Sequence, residues 1–292
     1  MIAIRRVATG IWVAGATLAV FALDAFLGTQ WGTSFLMIAV ACGAIHELYA
    51  MLERAGIPCH RTWGTVALGA ALLLRAAGPE LRLTSHEARE VSLAVLAIGF
   101  LGPFLLAVAR ADREVAVDVD AARRAAATAL GLGYIGLLAT FLIELRMLRG
   151  AGGSPSLGLE MSLLLCACVK IGDTTAYFVG RTIGRTKLSP VSPRKTWEGS
   201  IGSVIGSVAT AVIVGSVFLR YDLRVMAGFG LLVDLAGQGG DLLESYVKRL
   251  LGTKDSSNVF GEMGGFLDVA DALLLAAPPA YLWCELLIAR GA

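Results

Sequence analysis

The sequence predicts an all-α fold: a polytopic transmembrane helix bundle of about nine spans with the N-terminus on the cytoplasmic side. Three observations predict it. Of 292 residues, 56% are hydrophobic and only 16% charged, against about 25% charged in a soluble domain, and the mean hydropathy is +0.71. Long stretches carry no Asp, Glu, Lys or Arg at all. The Lys and Arg residues gather in alternate loops. Too few polar groups remain to cover a globular surface, and the same composition excludes disorder, a fibrous repeat and a secreted disulfide scaffold. The formal net charge of +2, from 25 basic and 23 acidic residues, is too balanced for a nucleic-acid partner.

A helix crosses the hydrocarbon core with about 20 apolar residues. Five charge-free runs meet that length: 7–23, 25–46, 91–109, 125–143 and 199–219. The run 62–74 is also charge-free but short. It spans by tilting, or by extending past Arg75 with that side chain snorkelling to the interface. Three more apolar stretches, about 158–180, 225–247 and 265–289, contain charges. Residues 1–6, with Arg5 and Arg6, imitate a signal peptide. No small-residue cleavage site ends the run and a further span follows, so the first helix is expected to stay uncleaved.

Orientation follows from the loop cations. With the N-terminus inside and 62–74 counted as a span, a condition on which the bias depends, 16 Lys and Arg fall in cytoplasmic segments and eight outside, Lys170 lying within a span. This places the loops 181–198 and 248–264 on the cytoplasmic side of the cell membrane. Five cysteines (Cys42, Cys59, Cys166, Cys168, Cys284) are scattered without disulfide or zinc spacing. His60 and His86 have no partner at ligand spacing. Pro103 and the pair Pro278-Pro279 fall within spans, where they are expected to kink helices.

The chemistry-bearing residues cluster late in the chain. A charge inside a span costs about 2.5–3.5 kcal/mol near the helix centre and usually lines a cavity. Asp24, Glu144 and Glu285 are expected at solvated helix ends, as is the pair His46-Glu47, with cavity lining the alternative for Glu47. Lys170 and Asp173 share the sixth span, and Asp234 opens a series on the eighth. Asp241, Glu244, Ser245 and Lys248 recur at steps of three and four, hence on one helix face. Asp268 and Asp271 repeat the spacing. Asp241, Asp268 and Asp271 on two adjacent helices suit a hard divalent cation such as Mg2+. The segment 180–199 adds Arg181, Arg185, Lys187, Arg194 and Lys195 among hydroxyls and prolines. Such cations match phosphate oxygens, or equally anionic lipid headgroups. Carboxylates for a metal beside cations for phosphate, at a membrane surface, point to phosphoryl or nucleotidyl transfer involving a lipid.

At these residues the chain resembles the phosphatidate cytidylyltransferase (CDP-diacylglycerol synthase) family. That family's C-terminal signature is matched by Ser245-x-x-Lys248-Arg249, four residues, Lys254-Asp255, Ser257, Phe260-Gly261, Met263-Gly264-Gly265 and Asp268-Val269-Ala270-Asp271, with every spacing kept over 27 residues. The upstream stretches Gly172-Asp173-Thr174-Thr175-Ala176-Tyr177, Ser192-Pro193-Arg194-Lys195-Thr196-Trp197-Glu198-Gly199 and Gly240-Asp241-Leu242-Leu243-Glu244-Ser245 are similar too. Two departures stand out: Met263 replaces the family's His, and Val269 its Arg. The resemblance covers about residues 165–275. It implies a scaffold of transmembrane helices over 1–150 and a catalytic region over 151–292.

The resemblance further implies transfer of CMP from CTP to phosphatidate, giving CDP-diacylglycerol and pyrophosphate for phospholipid synthesis. Asp241, Asp268 and Asp271 would hold Mg2+, and Lys248 and Lys254 would act on the transferring phosphates. Ser192, Arg194, Lys195, Thr196, Arg249 and Asp173 would bind substrate. The expected partners are CTP, phosphatidate and membrane lipid, and the arrangement admits a homodimer. The alternatives are a CTP-dependent kinase of a polyprenol-type alcohol and a non-catalytic membrane protein binding a cation or lipid.

Overall fold

In the computed structural model the described residues, which are 2–110, 118–150, 156–261 and 264–289, are mostly helical and include no β-strand. The helices are α1 (Ile2–Leu27), α2 (Trp31–Arg54), α3 (Arg61–Ala76), α4 (Ser85–Arg110) and α5 (Val119–Arg146). They continue with α6 (Ser156–Thr182), α7 (Trp197–Phe218), α8 (Leu223–Leu250) and α9 (Phe266–Cys284, running on as a π-turn over Glu285–Ala289). Six of them, α2, α4, α5, α6, α7 and α9, are long and apolar enough to cross a membrane. With this composition the protein is an all-α, multi-pass membrane protein.

Two of the other helices, α3 and α8, differ from these six for legible reasons. At 16 residues, α3 reaches about 24 Å, less than the roughly 30 Å of hydrocarbon. Among the described residues, α8 carries Asp234, Asp241, Glu244, Lys248 and Arg249. Arg75, near the end of α3, is buried at 5% exposure.

Local sequence sets the helix starts. Thr84 and Glu87 form a reciprocal capping box at the head of α4, at 2.8 and 3.2 Å. Asp118 accepts the N–H groups of Asp120 and Ala121 to open α5, and Asp222 those of Arg224 and Val225 to open α8. The start of α2 is capped from outside its own sequence. Asp24, near the end of α1, accepts from Gly32 N (3.0 Å), Thr33 N (2.8 Å), Thr33 Oγ1 (2.6 Å) and Thr29 Oγ1 (2.8 Å). Its 2% exposure corrects the expectation of a solvated helix-end acid. Glu144 is likewise buried, at 7%.

Removing the Asp24 carboxylate leaves buried donors unpaired. Asp24→Ala is therefore expected to cost about 2–3 kcal/mol. In a thermal melt in detergent this reads as a fall of roughly 4–10 °C in Tm. A fall below about 1 °C contradicts the cap.

The chain forms two compact units. The first comprises 1–24, 29–143 and 250–270; the second comprises 25–28, 144–249 and 271–292. In the first unit Tyr49 is fully buried and donates to Thr128 O at 2.7 Å. Its ring lies where a Cβ on Gly64 or Gly131 would stand, so both glycines admit close helix packing. Trp63 donates to Gly99 O at 2.9 Å.

In the second unit α6 and α7 approach through Gly202 against Val179 and Gly206 against Thr175. Trp283 of α9 donates to Val225 O at 3.0 Å. The cysteines are free, as expected. Outside the spans, burial and then Glu53 push the Cys59 thiol up to about 11, which keeps it protonated and unreactive.

Candidate metal and phosphate site

The second unit assembles a carboxylate cluster on two helices. Asp241 and Glu244 are one turn apart on α8, and Asp271 stands on α9. One oxygen of each lies within 4.8 Å of the others. Gly240 makes this possible: a Cβ there would stand 2.5 Å from the carbonyl oxygen of Asp271. Glu244 is buried at 1% exposure and Asp271 at 8%, while Asp241 is half-buried.

Two lysines answer these acids. Lys195 Nζ is 2.6 Å from Asp241 Oδ2, and Lys248 Nζ is 2.7 Å from Glu244 Oε2. Two carboxylates at this separation repel by roughly 3–4 kcal/mol at an effective dielectric near 20. Lys195 and Lys248 offset part of that repulsion, and the oxygen-only donor set would suit a hard divalent cation such as Mg2+.

Lys195 is delivered by a hairpin. Leu188 N donates to Lys195 O and Trp197 N to Thr186 O, both at 3.0 Å, and Lys187 and Thr196 form a β-bridge. The limb Ser192–Thr196 thus returns toward α7. There the Thr196 hydroxyl accepts Gly199 N at 3.1 Å as N-cap. Gly184 is required beneath it, because a Cβ there would meet Thr196 Oγ1 at 2.7 Å. The Glu198 carboxylate closes the hairpin by accepting Thr186 N at 3.2 Å. Ser192 is half-buried and Arg194 exposed, as is Arg249.

A buried polar network supports α7 on α8. Ser203 donates to Asp234 Oδ1 at 2.6 Å, and Gln238 donates to Asp234 Oδ2 at 2.5 Å and pairs with Ser200. It fixes α8 two turns before Asp241. Asp173 is half-exposed on α6, 3.9 Å from Lys170.

In the first unit Asp268 has a different setting. Its Oδ2 accepts Ser256 N (3.0 Å), Ser256 Oγ (2.5 Å) and Gly265 N (2.8 Å). Lys254 is exposed in the preceding loop and Val269 is half-buried. Met263 lies outside the described residues. Glu47, expected at a solvated helix end, is instead buried at 6% and accepts four hydrogen bonds. Of the sequence-predicted residues, the structure brings together Asp241, Asp271, Lys195 and Lys248. It adds Glu244, whose helical phase with Asp241 was visible in the sequence.

The site thus combines three clustered carboxylates with two lysines in an all-α membrane protein. The cytidylyltransferase family matches residues 4–287, and the chain belongs to that family. Among its relatives, the phosphatidate cytidylyltransferase of Synechocystis sp. is 35% identical over 181 residues, 54% of this chain and 61% of that protein. The phosphatidate cytidylyltransferase of Brucella abortus is 40% identical over 156 residues, 53% and 56% of the two chains. That of Aquifex aeolicus is 44% identical over 114 residues, 38% and 42%. The chain thus spans about half the length of the curated relatives it matches.

Proposed function

We propose that this protein transfers the cytidylyl group of CTP to phosphatidate, forming CDP-diacylglycerol and releasing pyrophosphate. The observation that carries the reading is the Asp241, Glu244 and Asp271 cluster with Lys195 against it, in a chain of this family. The phosphate monoester oxygen of phosphatidate attacks the α-phosphorus of CTP, and the bond from that phosphorus to the bridging oxygen of the β-phosphate breaks.

Asp241, Glu244 and Asp271 are assigned to hold Mg2+. We place Glu244 in this set in preference to Asp268, whose carboxylate is engaged by Ser256 and Gly265. Bound there, Mg2+ supplies neutralisation of triphosphate charge. Lys195 and Lys248 bring ammonium groups to the same cluster, and Arg194 and Arg249 are exposed to capture phosphate. The nucleophile needs no strong base, because a phosphate monoester with a second pKa near 6 is largely ionised at pH 7. The replacement of the family's His by Met263 is therefore compatible with turnover.

The test is release of pyrophosphate by purified protein with Mg2+, CTP and phosphatidate. Release that needs both substrates is expected. Release from CTP alone, or CDP in place of pyrophosphate, contradicts the proposal.

A further inference from the structure

Glu47 stands on α2, more than 200 residues before the loop and helix start whose four donors converge on its carboxylate. Ser256 Oγ (2.8 Å) and Leu267 N (3.0 Å) donate to Oε2. Ser257 Oγ (2.6 Å) and Phe266 N (3.0 Å) donate to Oε1. The two N–H groups belong to the first turn of α9, where they have no acceptor within the helix. A negative charge there also opposes the positive helix end.

The surrounding residues fit the same docking. Gly265 has no room for a Cβ against the Glu47 carboxylate, and Gly43, one turn earlier on α2, leaves the space taken by the Phe266 ring. One turn later, Met51 Sδ receives Thr253 Oγ1 at 3.5 Å. Ser256 continues the chain of contacts to Asp268 Oδ2.

We propose that Glu47 is a positioning residue for α9: it docks the first turn of the helix and two serines of its leading loop, and so sets where Asp268 and the start of the helix that carries Asp271 stand. Glu47 touches no substrate in this account and acts through α9. Its importance for turnover rests on the reading that the α9 acids serve the reaction.

The test compares the full-length protein with Glu47→Gln and, as a control, Ser92→Ala. Ser92 is buried and donates to Ala71 O at 2.8 Å, far in sequence from the loop and α9. A Gln side chain keeps the size of Glu47 but turns an amide donor toward donors. Two readouts are taken: amide hydrogen exchange over residues 264–272, and the Mg2+ concentration that gives half-maximal CDP-lipid formation.

Glu47→Gln is expected to speed exchange at residues 266–268 about tenfold and raise the half-saturating Mg2+ about tenfold. The KM for CTP at saturating Mg2+ should stay within about threefold. Ser92→Ala should shift neither readout, whatever it does to Tm. If Glu47→Gln does not accumulate, Ser257→Ala, which removes one donor, must move both readouts in the same direction. Unchanged exchange and Mg2+ dependence, or equal shifts in the control, overturn the proposal. A wild-type protein that makes no CDP-lipid defeats the functional reading instead, and the exchange measurement alone then decides the role of Glu47.

Discussion

Replacing Asp271 or Asp241 by asparagine is expected to lower CDP-lipid formation by about a hundredfold or more while the protein still inserts and purifies. The amide keeps the shape but removes the charge. Several kcal/mol of charge stabilisation depend on a bound divalent ion, and each 1.36 kcal/mol is about tenfold in rate. The cluster is tight enough that its members act as a unit: one oxygen from each of Asp241, Glu244 and Asp271 lies within 4.8 Å of the others. The double variant should therefore be no worse than the poorer single.

A second readout is independent of turnover. Mg2+ at about a hundredfold above its Kd stabilises the native protein by about 2.7 kcal/mol, so wild-type Tm should rise on adding it. Each single variant should show that rise reduced or absent. Activity within threefold of wild type for both would remove the metal assignment.

Lys195→Met should have the next largest effect. Its ammonium sits 2.6 Å from Asp241 at the end of a hairpin limb, the only Lys or Arg of segment 180–199 for which an ion pair is seen among the described residues. One charge-assisted hydrogen bond to phosphate is worth roughly 1.5–3 kcal/mol. That predicts a loss of about ten- to a hundredfold in kcat/KM for CTP. Lys195→Arg should recover only part of it, since a planar guanidinium does not replace a compact ammonium at a close contact. Exposed Arg185→Met, with its side chain in solvent, should cost far less. Equal losses for the two variants would reduce the hairpin to a generic basic surface.

The bundle was legible because its signal is local. Runs free of charge mark the helices, and the capping box Thr84-Ser85-His86-Glu87 can be read directly. So can the helical phase of Asp241, Glu244 and Lys248, which foretells their shared face. What periodicity cannot express is which face meets which. It gives no way to choose Glu244 over Asp268 beside Asp271, because that depends on the approach of α8 to α9 at Gly240. Asp268 sits one turn before Asp271 with the same spacing logic, yet its carboxylate is taken by its own loop.

Asp24 and Glu47 were misjudged for a related reason. A single acid near a helix end reads as solvated unless its partner is visible. The partners of Asp24 lie five to nine residues on, at the head of the next helix. Those of Glu47 lie 209 to 220 residues on, beyond any local pattern.

The central claim is tested most directly by following each phosphorus of CTP. Purified protein in lipid is given phosphatidate, Mg2+ and CTP labelled at either the α- or the γ-phosphorus. Attack at the α-phosphorus puts the α-label into the lipid product and the γ-label into pyrophosphate, and that is the expected result. Transfer of the γ-label to lipid, with the α-label left in CDP, would show a lipid kinase and contradict the account.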